Sequence, residues 1–294
     1  MAWHLALVIE PAASDDSRTD FSATFRAVDP SSPVLPLGEL SAQRGDGVFE
    51  SLGVVGSHPQ EVDAHLRRLA RSAELCDLPV PHAEQWRQAI ERVARGCGPG
   101  ESVIKLILSR GIEHGAGPTA WVTAAPAADF TAARQEGIRI ATLDRGYDSG
   151  APLRVPWLLQ SAKTLSYAVN MAAIREAKRR GADDALFVTS DGVVLEAPTA
   201  SLIARIDGVF VTPTPAGGIL PGTTQASIFS WLRSEGGSTA SREVTAADLG
   251  RADAAWLVSS VRLAAPIREI DGVRLPVDLD LTPRLNDYLL SPRD

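Results

Sequence analysis

Four pieces of this sequence carry side chains that could do chemistry: one lysine, one glutamate, one arginine and a Pro-Gly-Thr-Thr turn. Lys163 stands in Ser161-Ala162-Lys163-Thr164-Leu165-Ser166-Tyr167, after a loop containing Pro156-Trp157. A lysine held in a protein pocket can lose its proton, serve as a base and form a Schiff base with a carbonyl. The apolar pattern after it predicts a helix over 164–180, so a cation there would oppose the helix dipole. Glu196 follows Val194 and Leu195 at the end of an expected strand. A carboxylate facing inward at such a place needs a cationic or protonated partner. Leu220-Pro221-Gly222-Thr223-Thr224-Gln225 reads as a turn that opens a helix. Free backbone N–H groups, the positive dipole end and two threonine hydroxyls together suit a phosphate monoester. Arg68 lies off the apolar stripe of its own helix and could hold an anion with both arms of its guanidinium. Each piece also has an ordinary reading: a surface lysine, a turn glutamate, a capped helix, and a solvated basic face of Arg67, Arg68 and Arg71.

The elements that must position these groups follow from periodicity. The short apolar run in the N-terminal stretch MAWHLALVIEPAASDD reads as a strand and 47–55 as another. Residues 61–78 repeat Val62, Leu66, Leu69, Ala73 and Cys76 at helical spacing. A second helix is expected over 82–95, with Trp86, Ile90 and Val93 on one side, then strands at 102–109 and 119–125. Residues 123–133 are rich in alanine and carry a proline, the composition of a linker. That divides the chain into domains over 1–122 and 134–294. The second half restarts with a strand at 137–143, the helix at 164–180, and strands at 184–190, 193–195, 201–206 and 208–212. Asp191-Gly192 and Asp207-Gly208 supply hairpin turns. A helix is expected from Thr223 to Ser234 and a last strand at 255–259. His65 reads as a packed helix histidine, and Arg44-Gly45-Asp46-Gly47 as a tight turn before a strand. Strands and helices mix without the regular alternation of a doubly wound sheet, so the fold class is mixed α/β.

Bulk properties narrow the function. With 29 basic and 36 acidic residues the net charge is −7, which argues against a nucleic-acid-coating surface. The five histidines are scattered and the two cysteines, Cys76 and Cys97, have no metal or redox spacing, so no metal site and no disulfide framework is expected. The N-terminus lacks the basic flank of a signal peptide and no apolar run approaches the ~18 residues of a membrane span. A cytoplasmic enzyme is the expectation.

Taken in order, several segments resemble the fold-type IV enzymes that depend on pyridoxal 5′-phosphate, the class IV aminotransferase family. They are Gly45-Asp46-Gly47-Val48-Phe49-Glu50, His65-Leu66-Arg67-Arg68-Leu69 with Ser72-Ala73, Ser109-Arg110-Gly111, Lys163, Glu196 and Leu220-Pro221-Gly222-Thr223-Thr224. The resemblance implies a smaller N-terminal α/β domain, a larger C-terminal pseudo-barrel domain with the cofactor between them, and a homodimer. It implies that Lys163 carries the cofactor covalently and then acts as the base. Glu196 would pair with the pyridine nitrogen, Arg68, Thr223 and Thr224 would hold the phosphate, Leu220 would pack on the ring, and Ser260 would add a phosphate contact. Arg110, Lys105 and His114 are the candidates for substrate contact. The pattern departs at Ser201, where an asparagine is usual, at Ile203, where an aromatic is usual, and at Gln225, where a basic residue is usual. Within the family, Ile104-Lys105-Leu106-Ile107-Leu108-Ser109-Arg110-Gly111 and Lys163-Thr164-Leu165-Ser166 look most like 4-amino-4-deoxychorismate lyase, which releases pyruvate and 4-aminobenzoate for folate synthesis. The alternative is an aminotransferase for D-amino acids or branched-chain amino acids.

Overall fold

The computed structural model describes residues 5–294, so Met1 to His4 of the expected first strand lie outside the described residues. Two compact units result. The first holds the described residues up to Ala128, together with Ala162–Tyr167 and Ser291–Asp294; the second holds Asp129–Ser161 and Ala168–Leu290.

The first unit runs β1 (Leu5–Ile9), β2 (Phe25–Val28), α1 (Leu40–Gln43), β3 (Gly47–Val55), β4 (His58–Pro59), α2 (Val62–Leu75), α3 (Ala83–Ala94), β5 (Glu101–Ser109) and β6 (Thr119–Pro126). Its six strands pair antiparallel in the order β2-β1-β6-β5-β3-β4. Alternate residues of β3 and β5, among them Val48, Leu52, Ile104, Leu106 and Leu108, enter one core with Leu69 of α2 and with Trp86 and Ile90 of α3. The period of two on the strands and the stripe on each helix meet in that core. His82 caps α3 by accepting from the Gln85 N–H at 3.2 Å.

The second unit runs α4 (Thr131–Glu136), β7 (Ile138–Asp144), α5 (Ala151–Arg154), α6 (Ala168–Arg179), β8 (Asp184–Val188), β9 (Ser201–Ile206), β10 (Val209–Pro213), α7 (Thr223–Ser234), β11 (Thr239–Arg242), α8 (Ala246–Gly250), β12 (Ala254–Ser259), β13 (Leu263–Ile270), β14 (Val273–Arg274) and α9 (Leu281–Leu290). Its sheet has the order β11-β10-β9-β12-β13-β7-β8, with β14 on β13. β12 is buried on both faces: Ala255 and Leu257 enter one cluster, and Trp256 and Val258 enter another with Ile228 of α7 and Leu285 of α9. That explains why 255–259 reads as an unbroken apolar run. Asp207-Gly208 turns β9 into β10 as expected, both residues with positive φ.

Three expectations are corrected. The helix over 164–180 begins only at Ala168, because residues 163–165 are extended and lie along β3. Residues 193–195 form isolated bridges rather than a strand. The strand at 255–259 is not the last, for β13 follows and pairs with it through Pro266 opposite Trp256. A proline inside an apolar run reads as a strand breaker, and here the sheet tolerates it. The alanine-rich segment 123–133 is also partly ordered, its ends belonging to β6 and α4.

Candidate active site

In the first unit the backbone of Lys163 is held on two sides. Its carbonyl accepts from the Phe49 N–H at 2.9 Å, and the Leu165 N–H reaches the Gly47 carbonyl at 2.8 Å. Its own N–H donates to the Ser72 hydroxyl of α2 at 3.1 Å, a residue only 1% exposed. Lys163 is thus carried on an added stretch of strand beside β3, not at a helix start. The dipole argument made from the sequence therefore falls away. Its Nζ lies 4.4 Å from the centroid of Phe49 and 5.8 Å from that of Tyr167, and the two rings meet edge to face at 5.3 Å. Aromatic faces of this kind attract an ammonium.

The glycines of the Gly45-Asp46-Gly47 turn explain this approach. A Cβ on Gly45 would sit 3.0 Å from Ser166 Cα, and one on Gly47 would sit 2.8 Å from Leu165 Cδ1. The turn is therefore the seat of the lysine segment as well as the start of a strand.

Arg68 is not on a solvated face. Its side chain is 11% exposed, and it grips Glu50 of β3 through Nε at 2.6 Å and Nη2 at 2.8 Å. His65, one turn earlier on α2, meets the same carboxylate through Nδ1 at 2.8 Å. Burial alone would push the Glu50 carboxyl up, but Arg68 and then His65 hold it well below the usual carboxylate range. Glu50 was read from sequence only as part of a motif. The signal was its register: it shares the core-facing side of β3 with Val48, Leu52 and Val54.

Arg110 is engaged locally, with Nε on Asp46 at 2.8 Å and Nη1 and Nη2 on the carbonyls of Asp77 and Cys76 at 3.1 and 2.7 Å. Lys105 is exposed on β5, on the face away from Leu106 and Leu108, between Ser51 and Thr123 on its neighbours. His114 stands exposed in the turn after β5 with φ of 63°.

The second unit carries the remaining candidates. Glu196 Oε1 accepts from the Leu220 N–H at 3.1 Å, which ties the carboxylate to the loop before α7. Tyr147 lies close enough that its hydroxyl, already pushed up by burial, is raised further by the Glu196 charge. Thr223 and Thr224 are buried in the first turn of α7, and the Ser260 hydroxyl lies 3.4 and 3.1 Å from theirs. Gly222 precedes the helix and offers no side-chain cap. A Cβ there would run into the Ser201 hydroxyl, which accounts for the glycine at 222. The structure thus brings Thr223, Thr224 and Ser260 together, and Glu196 with Leu220. Among the described residues no cluster of His, Cys, Asp and Glu could hold a metal ion, and no helix is long and apolar enough to cross a membrane.

Three hydroxyls at the uncapped start of a twelve-residue helix fit a phosphate monoester. An amine beside aromatic rings fits an aldehyde, and a tethered carboxylate fits a protonated ring nitrogen. This donor set is the one pyridoxal 5′-phosphate requires, on a mixed α/β fold of type IV. Residues 47–270 match the family model for amino-transferase class IV. A bifunctional aminodeoxychorismate lyase / D-amino acid transaminase of Mycobacterium tuberculosis is 44% identical over 258 residues, covering 84% of this chain and 89% of its own. The fold IV-transaminase CpuTA1 from Curtobacterium pusillum superposes with a TM-score of 0.92 at 46% identity, over 98% of this chain and 99% of its own. A hypothetical aminotransferase from Mycobacterium tuberculosis, in its alpha-ketoglutarate and PMP bound form, does so with a TM-score of 0.89 at 38% identity, over 97% of each chain. The chain belongs to the class IV aminotransferase family and is a pyridoxal-phosphate-dependent enzyme.

Proposed function

We propose that this enzyme is a 4-amino-4-deoxychorismate lyase and that the same residues also transaminate D-amino acids. The observation that carries the reading is the single base, Lys163, held through its backbone by β3 and Ser72 with its amine against Phe49. Both reactions start by removing the proton from the amine-bearing carbon, and one fixed lysine serves either. The Mycobacterium tuberculosis relative whose name joins the two activities supports carrying both.

Arg68, Thr223, Thr224, Ser260 and the first amides of α7 would hold the phosphate of the cofactor. Leu220 would pack on its ring, and Glu196 would favour a proton on the ring nitrogen. The bound cofactor supplies an electron sink for the pair of electrons left when the proton goes. Lys163 takes that proton, and in the lyase direction the substrate loses its enolpyruvyl side chain as pyruvate while its ring becomes aromatic. In the transaminase direction Lys163 redelivers the proton and a keto acid leaves. Lys105 and His114 are the exposed candidates for a substrate carboxylate, since Arg110 is already engaged with Asp46 and two carbonyls.

The purified enzyme given 4-amino-4-deoxychorismate is expected to release pyruvate and 4-aminobenzoate in equal amounts without a keto-acid acceptor. Given D-amino acids it is expected to need 2-oxoglutarate or pyruvate, and branched-chain L-amino acids should be poor donors. No 4-aminobenzoate alongside fast transamination would leave only the second activity.

We assign the enzyme to the cytoplasm, which suits its two free cysteines. We also assign it a second copy as partner. The segment 153–171 exposes Leu153, Trp157, Leu158, Val169 and Met171, with Leu153 at 88% and Trp157 at 72%, and large apolar side chains exposed together are the usual mark of an interaction surface. Light scattering should read twice the 31.2 kDa chain mass, and Leu153→Asp with Trp157→Glu should return it to one. A monomeric wild-type protein would remove this assignment.

A further inference from the structure

Glu50 is a fully buried carboxylate in contact with a residue given a cofactor role. It sits on the core-facing side of β3 among Val48, Leu52 and Val54, at 0% exposure. A buried ion pair is a poor device for stability alone, because apolar residues of like volume do as well or better. Its geometry suggests another use. Glu50 meets the Nε–Nη2 edge of Arg68 side-on, with Oε1 2.6 Å from Nε and Oε2 2.8 Å from Nη2. Oε2 is also 2.8 Å from His65 Nδ1 and accepts the Ser51 N–H at 3.3 Å. The carboxylate is therefore held from three directions and cannot follow the arginine. An arginine side chain is long and loses much rotamer freedom when it binds, and a guanidinium locked at one edge has paid that loss beforehand.

We propose that Glu50, backed by His65, is a positioning residue that clamps the Nε–Nη2 edge of Arg68, so that an anion bound by Arg68 meets the guanidinium at its Nη1–Nη2 end. The proposal rests on the assignment of Arg68 to the cofactor phosphate. It adds that the discrimination between phosphorylated and unphosphorylated cofactor is set two residues deep, by a carboxylate that does not touch the ligand.

The test uses full-length apo-protein titrated with pyridoxal 5′-phosphate and, separately, with pyridoxal, which has the same ring and aldehyde but no phosphate. Binding is read by absorbance and tryptophan fluorescence, and the fold by circular dichroism. Glu50→Gln is expected to raise the Kd for pyridoxal 5′-phosphate by about tenfold or more, the order of a charge-assisted contact, and to leave pyridoxal binding within about twofold. Arg68→Gln should cut the preference for the phosphorylated ligand at least as far, leaving only what Thr223, Thr224, Ser260 and the start of α7 supply, and Glu50→Gln should add nothing in that background. Glu50→Asp keeps the charge but withdraws it by one methylene, so it should show the same selective loss and serves if Glu50→Gln does not fold. Unchanged or tighter binding of pyridoxal 5′-phosphate by Glu50→Gln would overturn the proposal, because removing a negative charge near a phosphate should help if only charge mattered. An equal loss for both ligands would also overturn it, as damage to the fold. If Arg68→Gln leaves the preference at its wild-type size, the assignment of Arg68 fails first and takes this proposal with it.

Discussion

Replacing Lys163 with alanine is expected to lower turnover by on the order of 10²- to 10⁴-fold in both the lyase and the transaminase assay, the range lost with a general base. The fold should survive. Three contacts that seat the segment use the backbone of Lys163 and Thr164: the Lys163 carbonyl with Phe49, its N–H with Ser72, and the Thr164 bridge to Val48. An alanine keeps all three. The melting temperature should therefore stay within a few degrees, since the contact of the half-buried side chain with the two rings is worth about 0.5–1 kcal/mol. Borohydride should trap the cofactor covalently on the wild-type chain and fail to do so on the variant. Wild-type rates from Lys163→Ala would remove the base from the mechanism, and a melted protein would leave the backbone argument wrong.

The second large effect is expected at Glu196. Glu196→Gln keeps an oxygen for the Leu220 N–H, so the 3.1 Å bond and the loop before α7 are retained. What goes is the negative charge. A neutral amide no longer favours a proton on the ring nitrogen, and the electron sink weakens accordingly. A barrier about 3 kcal/mol higher corresponds to a kcat roughly a hundredfold lower, and both reactions should fall together because both begin at the same carbon. Binding of pyridoxal 5′-phosphate should change far less, since the phosphate contacts are untouched. Initial rates and an apo-protein titration on one preparation separate the two quantities. A kcat within about threefold of wild type would exclude the proposed role of Glu196.

How much of this was legible beforehand depends on whether the signal was local. α7 starts at Thr223 and ends at Ser234 as the turn and periodicity require, and β3 spans Gly47–Val55 as expected. α2 shows the stripe that places Leu66, Leu69 and Ala73 inside. These elements declare themselves because a helix stripe or a strand alternation is written in adjacent residues. The pieces of the cofactor motif were legible too, as residue types in a fixed order.

What the sequence by itself determined, then, is which chemical groups are present: an amine at 163, a carboxylate at 196, and hydroxyls at a helix start. Only the tertiary structure decided what holds them. The apolar pattern of 164–180 concealed that Lys163 lies along β3, because pairing with a distant strand outweighs local helix preference. Pro266 hid β13, which the neighbouring strand accommodates. Arg68 looked like part of a wet basic face until Glu50, eighteen positions earlier, proved to be its partner. Pairings of that kind are set by where chain segments meet in the core, and no local window of sequence contains both halves.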